Sequence, residues 1–258
     1  MIPKIIHYIW LGNSPLPEEL LECIDSWQKY MPDYEIVKWD NSVVERVRMT
    51  FVDEAIQAGR WAFASDVIRL WALFHYGGIY LDTDVRVYKP FDSLLDNHAF
   101  IGRENCLQLG IHKTDYHLTS FCFGSEPGSL YIKRCLDYYR NRHFITSSDE
   151  SLPLELRFDV RNASYIHCEI AKTFGYDSRA LAPSMQNCLD SVLTIYPSTT
   201  FGHPFSKDSF CKHLSIGSWR DKPQWEENYT WKYKIIWRLL RIVEKILGHF
   251  GYIIVKLN

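Results

Sequence analysis

Gly77-Gly78-Ile79-Tyr80-Leu81-Asp82-Thr83-Asp84-Val85 is the stretch that decides the fold. It reads as a two-glycine break, a short apolar strand over Ile79–Asp82, and two carboxylates at the strand's end. Side chains at i and i+2 of a strand share a face, so strand alternation is expected to aim Asp82 and Asp84 at one point. Oxygen ligands converging on one point suit a hard divalent cation. An isolated D-x-D is ordinarily a solvated turn. Here the residues before it are apolar, and burying two unpaired acids beside them is costly. A cation with a diphosphate removes that cost, which favours the metal reading.

Upstream, Ala64-Ser65-Asp66-Val67-Ile68-Arg69 lies in a helix expected over 62–76, with Gly77 as the left-handed residue that ends it. Another helix is expected over 42–58. Ile2–Trp10 is a β-rich run closed by Leu11-Gly12-Asn13-Ser14-Pro15, and Pro17–Tyr30 carries Leu20, Leu21, Ile24 and Trp27 at helical spacing. Tyr34–Trp39 alternates as a strand and stops at Asp40-Asn41. This order argues for an α/β/α sandwich around a mostly parallel sheet. Ligands of such sheets sit outside the carboxyl ends of the strands, where Trp10-Gly12, Trp39-Asp40 and Asp82-Asp84 all fall.

Downstream the pattern weakens. Residues 103–120 read as a loop-rich insertion, 129–142 as a helix, 144–164 as irregular, 165–174 as a helix and 191–196 as a late strand, with a Pro-, Gly- and Ser-rich run over 197–209. Residues 1–228 are expected to form one domain and 229–258 a helical appendage. Over 231–250, Ile235, Ile236, Leu239, Leu240, Ile242, Val243, Ile246, Leu247 and Phe250 form an apolar face, and Lys234, Arg238, Arg241 and Lys245 line the opposite stripe. A core-packing or dimerising helix is the plain reading. The basic stripe with Trp231 and Trp237 suits a membrane-surface helix slightly better.

Several candidate residues carry two readings. Asp66 and Arg69, at i and i+3, share a helix face. An exposed pair of this kind is worth little, but Ala62, Phe63, Ala64, Val67 and Ile68 around it point to burial and a functional role. Ser65 is alternatively a helix cap. Trp10 is a core aromatic or a stacking wall for a base, and His7 is a satisfied core histidine. His213 on its own is a surface or capping residue; with a carboxylate site elsewhere it becomes a third metal ligand. Gly217 and Ser218 allow close backbone approach to phosphate oxygens.

Composition bounds the rest. The 258 residues are 47% hydrophobic and carry a formal charge of −2, which gives no general affinity for nucleic acid. No stretch reaches the roughly 18–20 apolar residues of a membrane span, and no N-terminal signal is visible. Seven scattered cysteines without a C-x-x-C pair read as reduced, buried thiols of a cytoplasmic protein.

Taken together, these residues resemble glycosyltransferase family 32. The similarity begins at Ile2-Pro3-Lys4-Ile5-Ile6-His7-Tyr8-Ile9-Trp10-Leu11-Gly12 and continues through Trp27 and Pro32-x-Tyr34-x-Ile36-x-x-Trp39-Asp40. It is most specific at Ala64-Ser65-Asp66-x-x-Arg69 and Gly77-Gly78-Ile79-Tyr80-Leu81-Asp82-x-Asp84. Ser125-Glu126-Pro127-Gly128, Ile195-Tyr196-Pro197 and His213-x-x-x-x-Ser218-Trp219 extend it over roughly residues 1–225. Two departures fall where sugar pockets are shaped. Thr119-Ser120 stand where relatives often carry Asn, and the Gly-Pro-Thr element common further on is absent between 144 and 175.

The resemblance implies a GT-A fold and a retaining sugar-nucleotide transferase. It implies catalytic roles for Asp66, Arg69, Asp82 and Asp84, and a metal site of Asp82, Asp84 and His213 holding Mn²⁺ or Mg²⁺. Nucleotide-sugar contacts would come from Trp10, Gly12, Ser65, Asp66, Arg69, Asp82, Ser218, Trp219 and Lys222. The expected reaction moves a hexose, with UDP as the leading carrier, to a glycan acceptor. A surface helix would make that acceptor lipid-linked, as in capsule assembly at the inner face of the plasma membrane. A sugar-nucleotide hydrolase or pyrophosphorylase is the alternative, although Leu11–Pro15 lacks the basic residue of pyrophosphorylase loops. A silent carbohydrate-binding protein is the other.

Overall fold

A computed structural model describes residues 1–104, 117–180, 185–202 and 205–217 of the chain. The chain divides into Met1–Ile216 and Gly217–Asn258. Ser218, Trp219, Lys222 and the amphipathic segment 229–258 lie outside the described residues. The elements are β1 (Ile5–Ile9), α1 (Glu18–Tyr30), β2 (Glu35–Trp39), α2 (Val44–Val47), α3 (Thr50–Gln57), α4 (Trp61–Tyr76), β3 (Gly78–Leu81) and β4 (Val85–Val87). They continue with β5 (Ala99–Arg103), β6 (Leu118–Ser125), α5 (Leu130–Tyr139), α6 (Leu154–Arg157), α7 (Ala163–Lys172), β7 (Gln186–Cys188), β8 (Leu193–Tyr196) and β9 (Cys211–His213).

The main sheet has the order β2-β1-β3-β6-β5-β8-β7, and β4 pairs with β9 in a separate ribbon. β1 is parallel to β2 and to β3. β6 runs antiparallel between β3 and β5, β8 is parallel to β5, and β7 is antiparallel to β8. β1, β2, β3, β5 and β8 therefore point one way, giving a mixed but mostly parallel sheet. α3, α4, α5 and α7 contribute to the core on one face, with Ile9, Trp39, Tyr80, Ile101 and Phe123 from the strands. α1 and the β4–β9 ribbon share the other core with Ile6, Tyr8, Ile79, Leu81 and Phe100. This is an α/β sandwich around a mostly parallel central sheet, as the sequence order implied.

Three local expectations need correction. The stretch 42–58 is not one helix. Arg48 adopts a left-handed backbone (φ 49°) with its Nε donating to the Glu45 carbonyl at 2.9 Å, which separates α2 from α3. Gly77 has a positive φ but an extended ψ (65°, −167°), not a left-handed helical one. A side chain there would place Cβ 2.6 Å from Pro127 Cδ and 2.9 Å from Pro3 Cδ, so the position is closed by packing as well as by backbone. Finally, the supposed insertion over 103–120 runs into β6, a central strand. β6 is buried on both faces except at Ser120, so it lacks the alternation by which half-buried strands announce themselves.

The cysteines among the described residues are free and buried. His7 is buried and fully used: Nε2 donates to the Gly77 carbonyl at 2.7 Å, and Nδ1 accepts from Trp39 Nε1 at 3.1 Å. Burial holds it below the usual imidazole range, with the Gly77 bond opposing. No helix among the described residues is long and apolar enough to cross a membrane.

Among the described residues, several buried polar side chains lack a hydrogen bond, and His167 on α7 lacks one at both ring nitrogens. It is 1% exposed, edge-on to Phe123, and neither ring nitrogen makes a hydrogen bond of acceptable geometry. Burial pushes it down to about 3, the charge of Arg69 adds to this, and the Thr119 backbone acts weakly the other way. The native state thus refuses a proton that the unfolded chain accepts below about pH 6.5. Its stabilising effect is complete above that pH and is lost as pH falls toward 3, at up to about 1.4 kcal/mol per pH unit. His167→Phe is expected to flatten the fall in thermal midpoint between pH 6.5 and 4. An unchanged slope would contradict this assignment.

Candidate active site

The parallel strands β1, β2 and β3 end on one rim, where Trp10, Asp40 and Asp82 follow them. β6 is antiparallel to β3 and β5, so its start (Leu118–Ser120) and the residues after β5 (Glu104) arrive at the same rim. Glu104 N–H donates to the His117 carbonyl at 2.8 Å, which fixes that junction.

Arg69 lies in the second to third turn of α4, a helix apolar on most faces and therefore buried. Its guanidinium is 6% exposed and makes five directed contacts. Nε donates to the Ser65 carbonyl at 3.2 Å, one terminal nitrogen to Ser65 Oγ at 3.0 Å, and the other to the Ser120 carbonyl at 2.6 Å. The same two terminal nitrogens pair with Asp66 Oδ1 at 3.0 Å and Asp82 Oδ1 at 3.4 Å. The Tyr80 ring lies 4.3 Å from the guanidinium carbon, and Tyr80 Oη donates to Asp82 Oδ1 at 2.5 Å. Ser65 is not a helix cap. It sits inside α4, donating to the Ala62 carbonyl at 2.8 Å and accepting from Arg69.

Asp82 and Asp84 reach the rim by a different route from the one expected. β3 stops at Leu81, and Asp82-Thr83-Asp84 is a turn closed by Val85 N–H to the Asp82 carbonyl at 3.0 Å. Asp82 continues the alternation of Tyr80 and meets Arg69. The turn carries Asp84 to β9, where His213 Nε2 donates to Asp84 Oδ1 at 3.0 Å. Ile216 N–H donates to Asp84 Oδ2 at 2.9 Å and Leu214 N–H to the Asp84 carbonyl at 3.0 Å, so the segment after β9 wraps the turn. The His213 ring stacks on Phe121 with centroids 4.6 Å apart.

The electrostatics follow from this crowding. Burial pushes Asp66 up to about 6, with Arg69 opposing and Asp82 adding. Burial would also raise Asp84, but the bond and charge of His213 and the Ile216 N–H outweigh it and leave Asp84 low. Burial would lower His213, and its bond to Asp84 with the charges of Asp84, Asp82 and Glu104 leaves it raised instead.

Ligand atoms of Asp82, Asp84 and His213 all lie within 4.8 Å of one another. Two carboxylates and an imidazole form a donor set that fits a divalent cation.

The end of the rim near Trp10 and Gly12 is built by loops. Trp10 is half-buried, its backbone N–H bonds the Trp39 carbonyl at 2.9 Å, and its Nε1 donates to the Ser14 carbonyl at 2.7 Å. Gly12 has φ 86° and its N–H donates to Asn41 Oδ1 at 2.8 Å. Trp61, which the sequence reading missed, is 39% exposed and lies beside Gly12. Glu104 was also missed. It accepts from Ser164 Oγ of α7 at 2.6 Å, and Ser164 Oγ lies 3.4 Å from Ser120 Oγ. Neither residue belongs to a recognisable motif; only the fold brings them to the rim.

Residues 17–101 match the family described as the glycosyltransferase sugar-binding region containing a DXD motif, a span that includes Asp82 and Asp84. The inositol phosphoceramide mannosyltransferase 3 of Schizosaccharomyces pombe is 37% identical over 106 residues, covering 40% of this chain and 30% of that protein. The glucan organizing enzyme 1 of Cryptococcus neoformans is 40% identical over 169 residues, covering 54% of this chain and 44% of that protein. The chain thus spans less than half the length of these relatives. The solved PaToxG glycosyltransferase aligns with a TM-score of 0.45 at 19% identity, covering 67% of this chain and 68% of that one. The DXD turn at the rim of this sandwich and the family match over 17–101 place the chain's similarity among the glycosyltransferases. Within that class the chain is GT32-like: its residues 17–101 carry the DXD-containing sugar-binding region.

Removing Arg69 strands two acids in a largely buried setting. Arg69→Ala is expected to destabilise the fold by about 3–5 kcal/mol, the usual cost of breaking a buried charge network on one side. Urea denaturation measures it, and a loss below about 1 kcal/mol would show that the network is solvated and weak.

Proposed function

We propose that the chain is a cation-dependent transferase moving a hexose from a nucleoside diphosphate, UDP foremost, to a glycan acceptor. The observation that carries this reading is the convergence of Asp82, Asp84 and His213 beside the Arg69–Asp66 pair on one rim. When bound, Mn²⁺ or Mg²⁺ supplies Lewis-acid neutralisation of the departing diphosphate. Asp84 and His213 would hold that ion, and Asp82 would join them directly or through water. Arg69 fixes the orientation of Asp82 and keeps Asp66 aimed at the donor's hydroxyls. Trp10 and Trp61 offer aromatic faces to the base, with Gly12 permitting close approach. Ser218, Trp219 and Lys222 are assigned to the diphosphate by the family resemblance alone. Preorganised charge of this kind is the main catalytic device available, since the reaction needs little covalent help.

The names of the mannosyltransferase relatives specify an inositol phosphoceramide, a lipid. That supports a lipid-linked acceptor for this chain, and the basic apolar segment 231–250 supports peripheral attachment on the cytoplasmic face of a membrane, in cell-surface polysaccharide synthesis. Removing 229–258 is expected to abolish flotation with anionic vesicles; unchanged flotation would end this part of the proposal.

The decisive assay measures nucleotide released from UDP- and GDP-hexoses with Mn²⁺ or with EDTA. At least one donor is expected to be cleaved to nucleoside diphosphate and free hexose, with EDTA abolishing release. Asp84→Asn is expected to lower the rate roughly 100-fold or more, the scale of losing a transition-state charge contact. Release of nucleoside monophosphate with hexose 1-phosphate, or of nucleoside triphosphate once pyrophosphate is added, would favour the hydrolase or pyrophosphorylase alternative. Substantial Mn²⁺-dependent activity in Asp84→Asn would contradict the metal assignment.

A further inference from the structure

We infer that Glu104 is a specificity-determining residue that accepts a hydrogen bond from a hydroxyl of the donor hexose, with Ser164 holding it in place. The inference rests on the functional reading above and adds the group that recognises the sugar itself.

Four observations place it. Glu104 follows β5 at the rim to which β3 delivers Asp82, because β6 runs antiparallel between β5 and β3. It is joined to the charged site by a continuous polar seam. Arg69 bonds the Ser120 carbonyl at 2.6 Å, Ser120 Oγ lies 3.4 Å from Ser164 Oγ, and Ser164 Oγ donates to Glu104 Oε1 at 2.6 Å. Ser164 is 2% exposed and held in the first turn of α7, its N–H bonded to Asn162 Oδ1 at 2.8 Å. The support is therefore rigid. And Glu104 stands apart from the cation cluster: it is not among the residues whose ligand atoms gather within 4.8 Å, yet its charge acts on His213.

Chemistry then narrows the role. Among the described residues, Ser164 bonds one Glu104 oxygen and none donates to the other, which is left to accept from a ligand. Burial raises Glu104 above the usual carboxylate range, with Ser164 and the charge of His213 opposing, as befits an acid short of donors. It cannot contact a diphosphate favourably, since both are anionic. A neutral polyol is the partner that satisfies a partly buried carboxylate, and hydroxyl groups are what a hexose offers. The seam leads to Arg69 and Asp66, the pair assigned above to the donor's hydroxyls, which favours the donor over the acceptor as the partner. Sites that hydrogen-bond a substrate hydroxyl discriminate strongly, because the wrong epimer leaves the buried group unpaired.

The test compares nucleotide with nucleotide sugar on the full chain. Calorimetric titrations with Mn²⁺ use UDP and GDP, then UDP-glucose, UDP-galactose and GDP-mannose. In Glu104→Gln the tightest-binding sugar nucleotide is expected to weaken about tenfold, the scale of one hydrogen bond to a charged group. The affinity for its parent diphosphate should change by less than about twofold, since no contact to the diphosphate is lost. Ser164→Ala, which frees the carboxylate without changing charge, should show the same selectivity at smaller size. If Glu104→Gln does not fold, Glu104→Asp and Ser164→Ala decide by the same criterion. An equal change for diphosphate and sugar nucleotide would assign Glu104 to the field around the cation and overturn the inference. No change in either would overturn it too. Wild-type chain that binds none of these probes would instead sink the functional reading beneath it.

Discussion

A guanidinium taken out of water must be surrounded by acceptors and opposite charge, and the arrangement around Arg69 meets that demand. Its partners come from three elements: Ser65 and Asp66 from α4 itself, Ser120 from β6, and Asp82 from the turn after β3. Satisfying one side chain therefore sets the helix, the antiparallel strand and the DXD turn in fixed relation. The planar fork of arginine makes this possible, whereas a lysine could not reach these acceptors at once. One cation among two acids also leaves net negative charge at the rim, which the proposed divalent cation would offset.

The second constraint joins distant parts of the chain. Asp84 and His213 are far apart in sequence, yet the β4–β9 ribbon places them in register with Val85 opposite His213. The Ile216 and Leu214 N–H groups then secure the Asp84 carboxylate and carbonyl. Closing this ribbon against α1 buries Val85 and Cys211 and gives Trp27 Nε1 the Val85 carbonyl at 2.7 Å. The candidate cation site is thus the polar edge of a hydrophobic contact. Its geometry follows from core packing as much as from the acids themselves.

What could be read from residues alone was the part governed by local periodicity. The βα alternation of the first third, the buried character of α4 and the rim shared by Trp10, Asp40 and Asp82 all follow from strand and helix patterns. His7 was legible as a satisfied core group because it interrupts an apolar strand. Legibility ended where tertiary contacts decide. Asp82 and Asp84 converge through a turn and a partner strand, which spacing alone does not distinguish from strand alternation. β6 carries no period because both of its faces are covered. Glu104 and Trp61 sit in unremarkable local sequence and gain meaning only when β5, α4 and α7 bring them to the rim.

The account depends most on Asp84 and His213 exchanging their shared proton for one cation that also meets a nucleotide diphosphate. Anomalous diffraction at the manganese edge, on crystals grown with Mn²⁺ and UDP, observes this directly. The account predicts one peak bonded to Asp84 and to His213 Nε2, at the roughly 2.0–2.6 Å typical of hard divalent cations and oxygen ligands, and touching the diphosphate. Nucleotide bound with the His213–Asp84 hydrogen bond intact, and manganese absent or elsewhere, would contradict it.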